Sequence, residues 1–351
     1  MNLFSPLYLR SLTLKNRIVV SPMQQYSANN GIPGNWHLVH LGSRAVGGAG
    51  LILTECTAVS PEGLATLNDV GIWNDEQQEA WKNIVDFVHE QEAKIGIQLW
   101  HSGGKGSLRH PNQRMKPLTD EEGAWTVKSS SATEINGVIP QEMTVAEIHE
   151  LTQKFADAAM RAVEAGFDTI ELHAGHGYLF HQFYSAVINK RNDEYGGSFD
   201  NRIRFLVETV RAVRKVIPEI MPLLVRISAV DYIDTPEGWT LEDSVALSEV
   251  LKENGVDLIT ASGGGFTNVS KDKVFPGYQV AFAAAIKKTG ILTGAVGMIT
   301  EAQQADEIIT SGKADLVVIA REHLRDPYFA IHAAKELGVE TEIPWQYQRA
   351  F

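Results

Sequence analysis

The densest run of reactive side chains is His173-Ala174-Gly175-His176-Gly177-Tyr178. Two imidazoles three residues apart admit three readings. They could be ligands of a zinc ion, but Glu171 is expected on the other face of its strand and completes such a site poorly. No HExxH pattern accompanies them. They could be paired hydrogen-bond donors for a carbonyl or nitro oxygen, with Tyr178 as proton donor. A phenol with an ordinary pKa of about 10 is protonated at neutral pH, which suits an acid. Or they could be two satisfied histidines in a loop.

Arg226 sits in Leu223–Ser228, a run that reads as a buried strand. A buried guanidinium needs a carboxylate or an electron-rich ligand. Gln98, inside another apolar run, can donate and accept at once. An amide and a guanidinium facing one pocket suit a ring of mixed donors and acceptors with some anionic character, such as a flavin. Glycines 263–265, 294 and 297, with Ala320-Arg321 after the last strand, suit a phosphate held by backbone N–H groups and an arginine fork. The bland alternative is that these glycines only make turns.

These residues need elements to position them. Apolar, β-branched runs at 17–23, 50–56, 94–100, 168–173, 223–228, 256–262, 291–297 and 314–321 alternate with helical stretches at 36–46, 75–91, 200–217, 240–254, 278–289 and 300–311. A further helix opens at Thr144, with Glu147 completing a capping box. The Asp326-Pro327 pair predicts a last helix with proline at its first position. Eight strands alternating with helices is the count of a closed (β/α)8 TIM barrel, an α/β fold with its site at the C-terminal ends of the strands. Those ends carry Ser21-Pro22-Met23-Gln24, Cys56, Gln98, His173, Arg226, Gly297 and Ala320. An open doubly wound sheet is the runner-up, weakened by the lack of GxGxxG after the first strand. Gly166, Gly255 and Gly312 each punctuate a helix-to-strand junction. The Pro-, Gly- and Ser-rich stretch 101–143 reads as a loop or cap within a single domain spanning 1–351.

Composition sets outer bounds. Hydrophobic residues make up 44% and charged residues 21% of the 351, which excludes a largely disordered chain. The net charge of −12 disfavours nucleic acid and anionic membranes as partners. A single cysteine excludes a disulfide within the chain and a four-cysteine iron–sulfur cluster. The opening residues lack a signal-peptide core and no apolar run reaches membrane-span length, so a cytoplasmic setting is expected.

The segments LKNRIVVSPM (14–23), GIQLWHSGGK (96–105), HAGHGYL (173–179), NKRNDEYGGSFDNRIRF (189–205), FPGYQ (275–279), TGAVGMI (293–299) and RDP (325–327) together resemble the Old Yellow Enzyme family of flavin-dependent ene-reductases. Within it, the bacterial thermophilic-like branch is the nearer match, and the resemblance runs over nearly the whole chain. It implies non-covalent FMN at the barrel top, with NADPH or NADH as hydride donor and no metal. Ser21, Pro22, Met23, Gln24 and Cys56 would lie beside the isoalloxazine. Gln98 would meet its pyrimidine edge, Arg226 its N1/O2 region, and Gly297, Ala320 and Arg321 its phosphate. His173 and His176 would bind the activating oxygen of an electron-poor alkene, and Tyr178 would protonate its α-carbon. Tyr26, Trp100 and Lys105 would line the substrate pocket. Arg349 would reach it from a neighbouring subunit, implying a homodimer or homotetramer.

Three departures stand out against that branch. Gln24 replaces its usual cysteine, Trp100 is bulkier than its usual residue, and Ser102-Gly103-Gly104 replaces a more usual Ala-Gly-Arg. The last leaves the nicotinamide preference open. Two other functions compete: a metal-dependent or cofactor-free barrel lyase or hydrolase using the His pair, and a flavin diaphorase or desaturase with a different substrate.

Overall fold

The computed structural model describes residues 2–267 and 269–350. Strands β1 (Leu7–Leu9) and β2 (Leu12–Leu14) form an antiparallel hairpin ahead of the barrel. Barrel strands β3 (Ile18–Val20), β4 (Leu51–Ala58) and β5 (Ile95–Trp100) come next. A two-residue parallel ladder, β6 (Lys128–Ser129) and β7 (Gln141–Glu142), lies within the insertion. The barrel resumes with β8 (Thr169–Ala174), β9 (Leu223–Ser228), β10 (Leu258–Ser262), β11 (Leu292–Ala295) and β12 (Leu316–Ile319). Parallel pairing closes the eight in chain order, β12 returning to β3. The barrel expected from strand count is the observed fold.

Helices α1 (Asn35–Val46), α2 (Asp75–Glu90), α3 (Val145–Glu164), α4 (Leu179–Tyr184) and α5 (Phe199–Val216) precede β9. The others are α6 (Leu241–Glu253), α7 (Val280–Lys287), α8 (Ala302–Thr310), α9 (Arg321–Arg325) and α10 (Phe329–Glu336). The expected capping box opens α3: Glu147 N–H donates to Thr144 Oγ1, and Thr144 N–H to Glu147 Oε2. Among the described residues no helix is long and apolar enough to cross a membrane.

Proline does not open the last helix. Helix α10 starts at Phe329, with Tyr328 as N-cap. Asp326 precedes Pro327 and is extended at φ −129° and ψ 94°, as the proline ring requires of its predecessor. Its carboxylate accepts the Tyr328 N–H, so the turn is completed before the helix begins. Hairpin β1–β2 and helices α4 and α9 are too short to show a period and were not expected.

Three junctions share one lock. Asp168, Asp257 and Asp315 each follow a left-handed glycine by two or three residues (Gly166 φ 91°, Gly255 φ 90°, Gly312 φ 71°). Each carboxylate accepts the N–H of a residue at the start of the preceding strand: Ile95, Leu223 and Thr293, at 2.8–2.9 Å. Each aspartate N–H donates back to the carbonyl of that same residue. The glycine turns the chain and the carboxylate sets the register of two adjacent strands.

Alternate residues point inward. At the bottom, Val19, Leu51, Leu53, Leu224, Leu258, Leu316 and Val318 pack on the hairpin leucines. Above them the interior turns polar: Gln98, Glu171, Arg226 and Thr260 are all buried. A bulge in β4 lets Leu53 pair with Gly96 but Cys56 with Gln98. The extra residue turns Cys56 inward and Glu55 outward, where it meets His37 of α1 at 3.2 Å.

Asp315→Ala should lower stability by about 2 kcal/mol, because it removes a charge-assisted hydrogen bond and leaves the buried Thr293 N–H unpaired. Urea unfolding measures it; a change near zero would show that the register is set without the carboxylate.

Candidate active site

The C-terminal end of β8 builds the centre of the barrel mouth. His173 is the penultimate residue of the strand, in register with Arg226 of β9. The chain then turns through His176 (φ 55°) and Gly177 (φ 73°), two consecutive left-handed residues. This brings His173 Nε2 and His176 Nδ1 to 3.2 Å from each other. The second His176 nitrogen meets Ser262 Oγ at 2.8 Å. Tyr178 closes the group, its ring 5.4 Å from that of His173 and edge-on to Trp100 at 5.0 Å. Burial first, and the Arg226 charge next, hold both imidazoles well below the usual histidine range. Both are therefore neutral at neutral pH. Burial pushes the Tyr178 phenol well above its ordinary value, so it keeps its proton.

Arg226 is the cation beneath them. It is buried, donates to Ser21 Oγ at 2.9 Å, and its Nε has no partner. Glu171 is on the same face, contrary to the expectation that it points away from His173. Residues two apart share a strand face, and the Glu171 carboxylate accepts from Gln98 Nε2 (2.7 Å) and Thr260 Oγ1 (2.9 Å) inside the barrel. Burial raises its carboxyl pKa, although the Arg226 charge and these two donors pull it back. The Cys56 thiol donates to Gln98 Oε1 at 3.1 Å, and burial drives its pKa well up.

From Arg226 a cavity of about 260 Å³ runs to the ends of β11 and β12. Ser21, Ser262, Gln279, Gly297, Ala320 and Arg321 line it. Gly297 has φ 111°, and a Cβ there would lie 3.0 Å from the Gln279 nitrogen. The glycines after β10 have a different place from the one expected. A Cβ on Gly177 would lie 2.4 Å from the Gly265 carbonyl oxygen, so these glycines let two backbones touch. Pro22, Met23 and Gln24 follow Ser21 along the rim, half-buried. Both amide atoms of Gln24 are buried without a hydrogen bond. Tyr26 adopts φ 52° and meets His110 of the insertion edge-on at 5.7 Å. Trp100 is buried beneath Tyr178, its indole N–H unpartnered.

Lys105, in a single turn at the start of the insertion, donates to the carbonyls of His176 and Gly265, at 2.9 Å each. Its ammonium lies 4.9 Å from the centre of the Tyr178 ring. Arg349 is exposed on the C-terminal turn, outside this constellation. Gln279 and the inward-facing Glu171 were missed as site residues, while Glu55 and Ser262 read as ends of barrel strands without a role. Ser262 ends β10, and its partner there is His176. Among the described residues no group of three or more His, Cys, Asp or Glu side chains could hold a metal ion.

A sequence model of the NADH:flavin oxidoreductase / NADH oxidase family matches residues 2–340. The NADPH dehydrogenase of Geobacillus thermodenitrificans (strain NG80-2) is 47% identical, over 99% of this chain and 98% of that protein. The NADPH dehydrogenase of Bacillus subtilis (strain 168) is 46% identical, over 99% of both. Among solved structures, morphinone reductase in complex with tetrahydroNAD superposes with a TM-score of 0.79 at 26% identity, covering 98% of this chain and 93% of that one. A 2-naphthoyl-CoA reductase bound to 2-naphthoyl-CoA shares the fold, with a TM-score of 0.85 at 24% identity, and this chain spans 53% of its length.

Burial lowers the Lys105 ammonium to about 8. In the unfolded chain it titrates near its ordinary value of 10.5. Below pH 8 both states hold the proton and the full cost of burying the cation is present. Between 8 and 10.5 only the unfolded state holds it, so stability rises with pH. The wild type should therefore gain on Lys105→Met, by on the order of 3 kcal/mol between pH 7 and 10.5. Urea unfolding of both proteins across that range measures the gain; parallel curves would place an ordinary, solvated lysine here.

Proposed function

The chain belongs to the NADH:flavin oxidoreductase / NADH oxidase family, and from that premise we propose that it is an FMN-dependent ene-reductase acting on electron-poor alkenes. The observation that carries this reading is the 3.2 Å approach of His173 Nε2 to His176 Nδ1 beside the Tyr178 phenol, over a buried Arg226. With the protons on these two nitrogens, which leaves His176 Nε2 to accept from Ser262 Oγ, an oxygen placed before the pair would meet two donors at once.

The residues present fit FMN. The Arg226 Nε and the Gln24 amide are buried polar atoms without partners, suited to a ring rich in donors and acceptors. A Cβ on Gly297 would crowd the cavity wall at Gln279. Ser21, Pro22, Met23, Gln24, Cys56, Gln98 and Arg226 would hold the ring, and Gly297, Ala320 and Arg321 the phosphate. When bound, FMN supplies the hydride, gained from NADPH or NADH and given to the alkene β-carbon.

The chain's own residues do the rest. Neutral His173 and His176 hold the carbonyl or nitro oxygen of an unsaturated aldehyde, ketone, imide or nitroalkene, and stabilise the charge that grows there. Both stay uncharged because they are buried and because Arg226 already supplies the local cation. Tyr178 gives its proton to the α-carbon; a phenol held above its ordinary pKa is a donor still loaded at neutral pH. Trp100 and the Lys105 ammonium fix the plane of its ring. Tyr26 and His110 close the outer side. We take the assembly to be a symmetric homodimer or homotetramer in which Arg349 reaches a neighbouring site. The C-terminal segment leaves Trp345 77% exposed, a surface suited to such a contact.

Purified protein should be yellow and bleach on anaerobic addition of NADPH or NADH. A colourless preparation that FMN cannot reconstitute would sink the reading, and activity lost to chelators would favour a metal lyase or hydrolase. Tyr178→Phe should slow colour return on adding 2-cyclohexenone by about 100-fold, with bleaching nearly unchanged. Equal slowing of both phases would remove Tyr178 as the proton donor.

A further inference from the structure

The turn that carries His176 and Tyr178 is gripped at every peptide group by a side chain from elsewhere. His176 N–H donates to Ser228 Oγ at 2.8 Å, and its carbonyl accepts from Lys105. Gly177 N–H donates to His181 Nδ1 at 2.8 Å, and its carbonyl accepts from Gln182 Nε2 at 2.7 Å. Left-handed backbone at a non-glycine residue persists only where its surroundings over-determine it, and these four bonds do so.

His181 stands apart among the four. Its imidazole is fully buried outside the reaction pocket, stacked on Tyr184 (4.7 Å) and against Phe266 (4.4 Å). Its Nε2 lies 2.5 Å from Asp231 Oδ1, and Asp231 is also fully buried. The second Asp231 oxygen accepts from Ser185 Oγ (2.6 Å) and the Trp239 N–H (3.0 Å). Burial works against this carboxylate's charge, but His181, Ser185 and Trp239 outweigh it and hold its pKa below the ordinary value.

The geometry dictates one tautomer. Nδ1 faces an N–H donor, so it carries the lone pair; Nε2 then carries the proton and donates it to Asp231. The carboxylate thus fixes which imidazole nitrogen can accept the Gly177 N–H. That bond orients the peptide joining His176 to Gly177, just before Tyr178. A buried His–Asp pair that only filled space would not need a defined proton position.

We propose that His181, with Asp231 behind it, is a positioning pair that aims His176 and Tyr178 at the substrate by fixing the Gly177 peptide. The proposal rests on the ene-reductase reading and adds to it two residues that touch neither substrate nor cofactor.

Asp231→Asn tests it. Ser185 and Trp239 need an acceptor, so the new amide turns its oxygen toward them and its NH2 toward His181. The imidazole proton then moves to Nδ1 and the Gly177 bond is lost. Nitrogen-15 spectra of the histidines in the holoenzyme should show His181 protonated on Nε2 in the wild type and on Nδ1 in the variant. Phenol affinity, read by visible titration of the holoenzyme, and the rate of colour return with 2-cyclohexenone should each fall about tenfold or more. Flavin content should stay within about twofold.

A tautomer change with phenol affinity and rate intact would overturn the proposal, as would an unchanged tautomer. If Asp231→Asn does not fold, Ser185→Ala removes one bond from the carboxylate. It should weaken phenol binding about threefold, and no change would count against the pair. Failure of the ene-reductase reading shows separately, as a wild type that neither bleaches nor binds phenol. The His176 ring resonances then decide: a shift in Asp231→Asn keeps the positioning role, and none removes it.

Discussion

A cation that cannot lose its proton, buried at the mouth of the barrel, is the constraint around which the rest of the site is arranged. Arg226 is 8% exposed, and its side chain closes one side-chain hydrogen bond, to Ser21. Among the described residues it makes no ion pair within 4 Å. Glu171 lies near enough to stabilise the charge but spends its oxygens on Gln98 and Thr260. A guanidinium left this way in a medium of low dielectric exerts a strong field over short distances. It helps keep His173 and His176 neutral. Its unpartnered Nε is a standing demand for an electron-rich ligand.

The fold can bear that demand because the cost is confined to one level. Below it, leucines and valines of the strands and the β1–β2 hairpin fill the interior. At its level, Glu171 of β8 accepts from Gln98 on neighbouring β5 and, past β9, from Thr260 of β10. Above it the backbone itself is unusual: His176, Tyr26 and Met298 all adopt positive φ at the rim. Such residues need neighbours that hold them. Lys105 and the touching glycines 177 and 265 supply that hold by tying the loop after β8 to the loop after β10.

The strand count was legible because the barrel strands are buried on both faces almost throughout and read as short, mostly apolar runs between helical stretches. The resemblance then brought the His pair, Tyr178, Arg226 and Gln98 into one site, and the structure does place these five side chains around one mouth. Long-range and sub-periodic features were not legible. The bulge that turns Cys56 inward inserts one residue into a run that reads as continuous strand. The aspartate locks looked like ordinary strand starts, since their partner N–H groups lie on another strand. Asp231 is 50 residues from His181. Glu171 was assigned to the wrong face although period two puts it with His173. Pro327 was misplaced because proline rigidifies a junction as readily as it opens a helix.

The departure at position 24 acquires a physical meaning in this setting. The single cysteine of the chain, Cys56, is a thiol whose pKa burial has driven up, and it serves as a donor to Gln98. A protonated thiol of this kind is a poor nucleophile and a slow target for oxidation. The rim position expected to hold a second thiol has instead an amide that lies near the Asp69 carboxylate yet closes no hydrogen bond. An amide neither titrates nor oxidises. The imidazoles are held neutral, the phenol and the thiol are held protonated, and the guanidinium is permanently charged. Burial lowers the Lys105 ammonium to about 8, and its proton sits on the clamp that holds the His176 turn. Gln24 therefore puts a neutral amide of fixed charge at the rim position where an ionisable sulfur was expected.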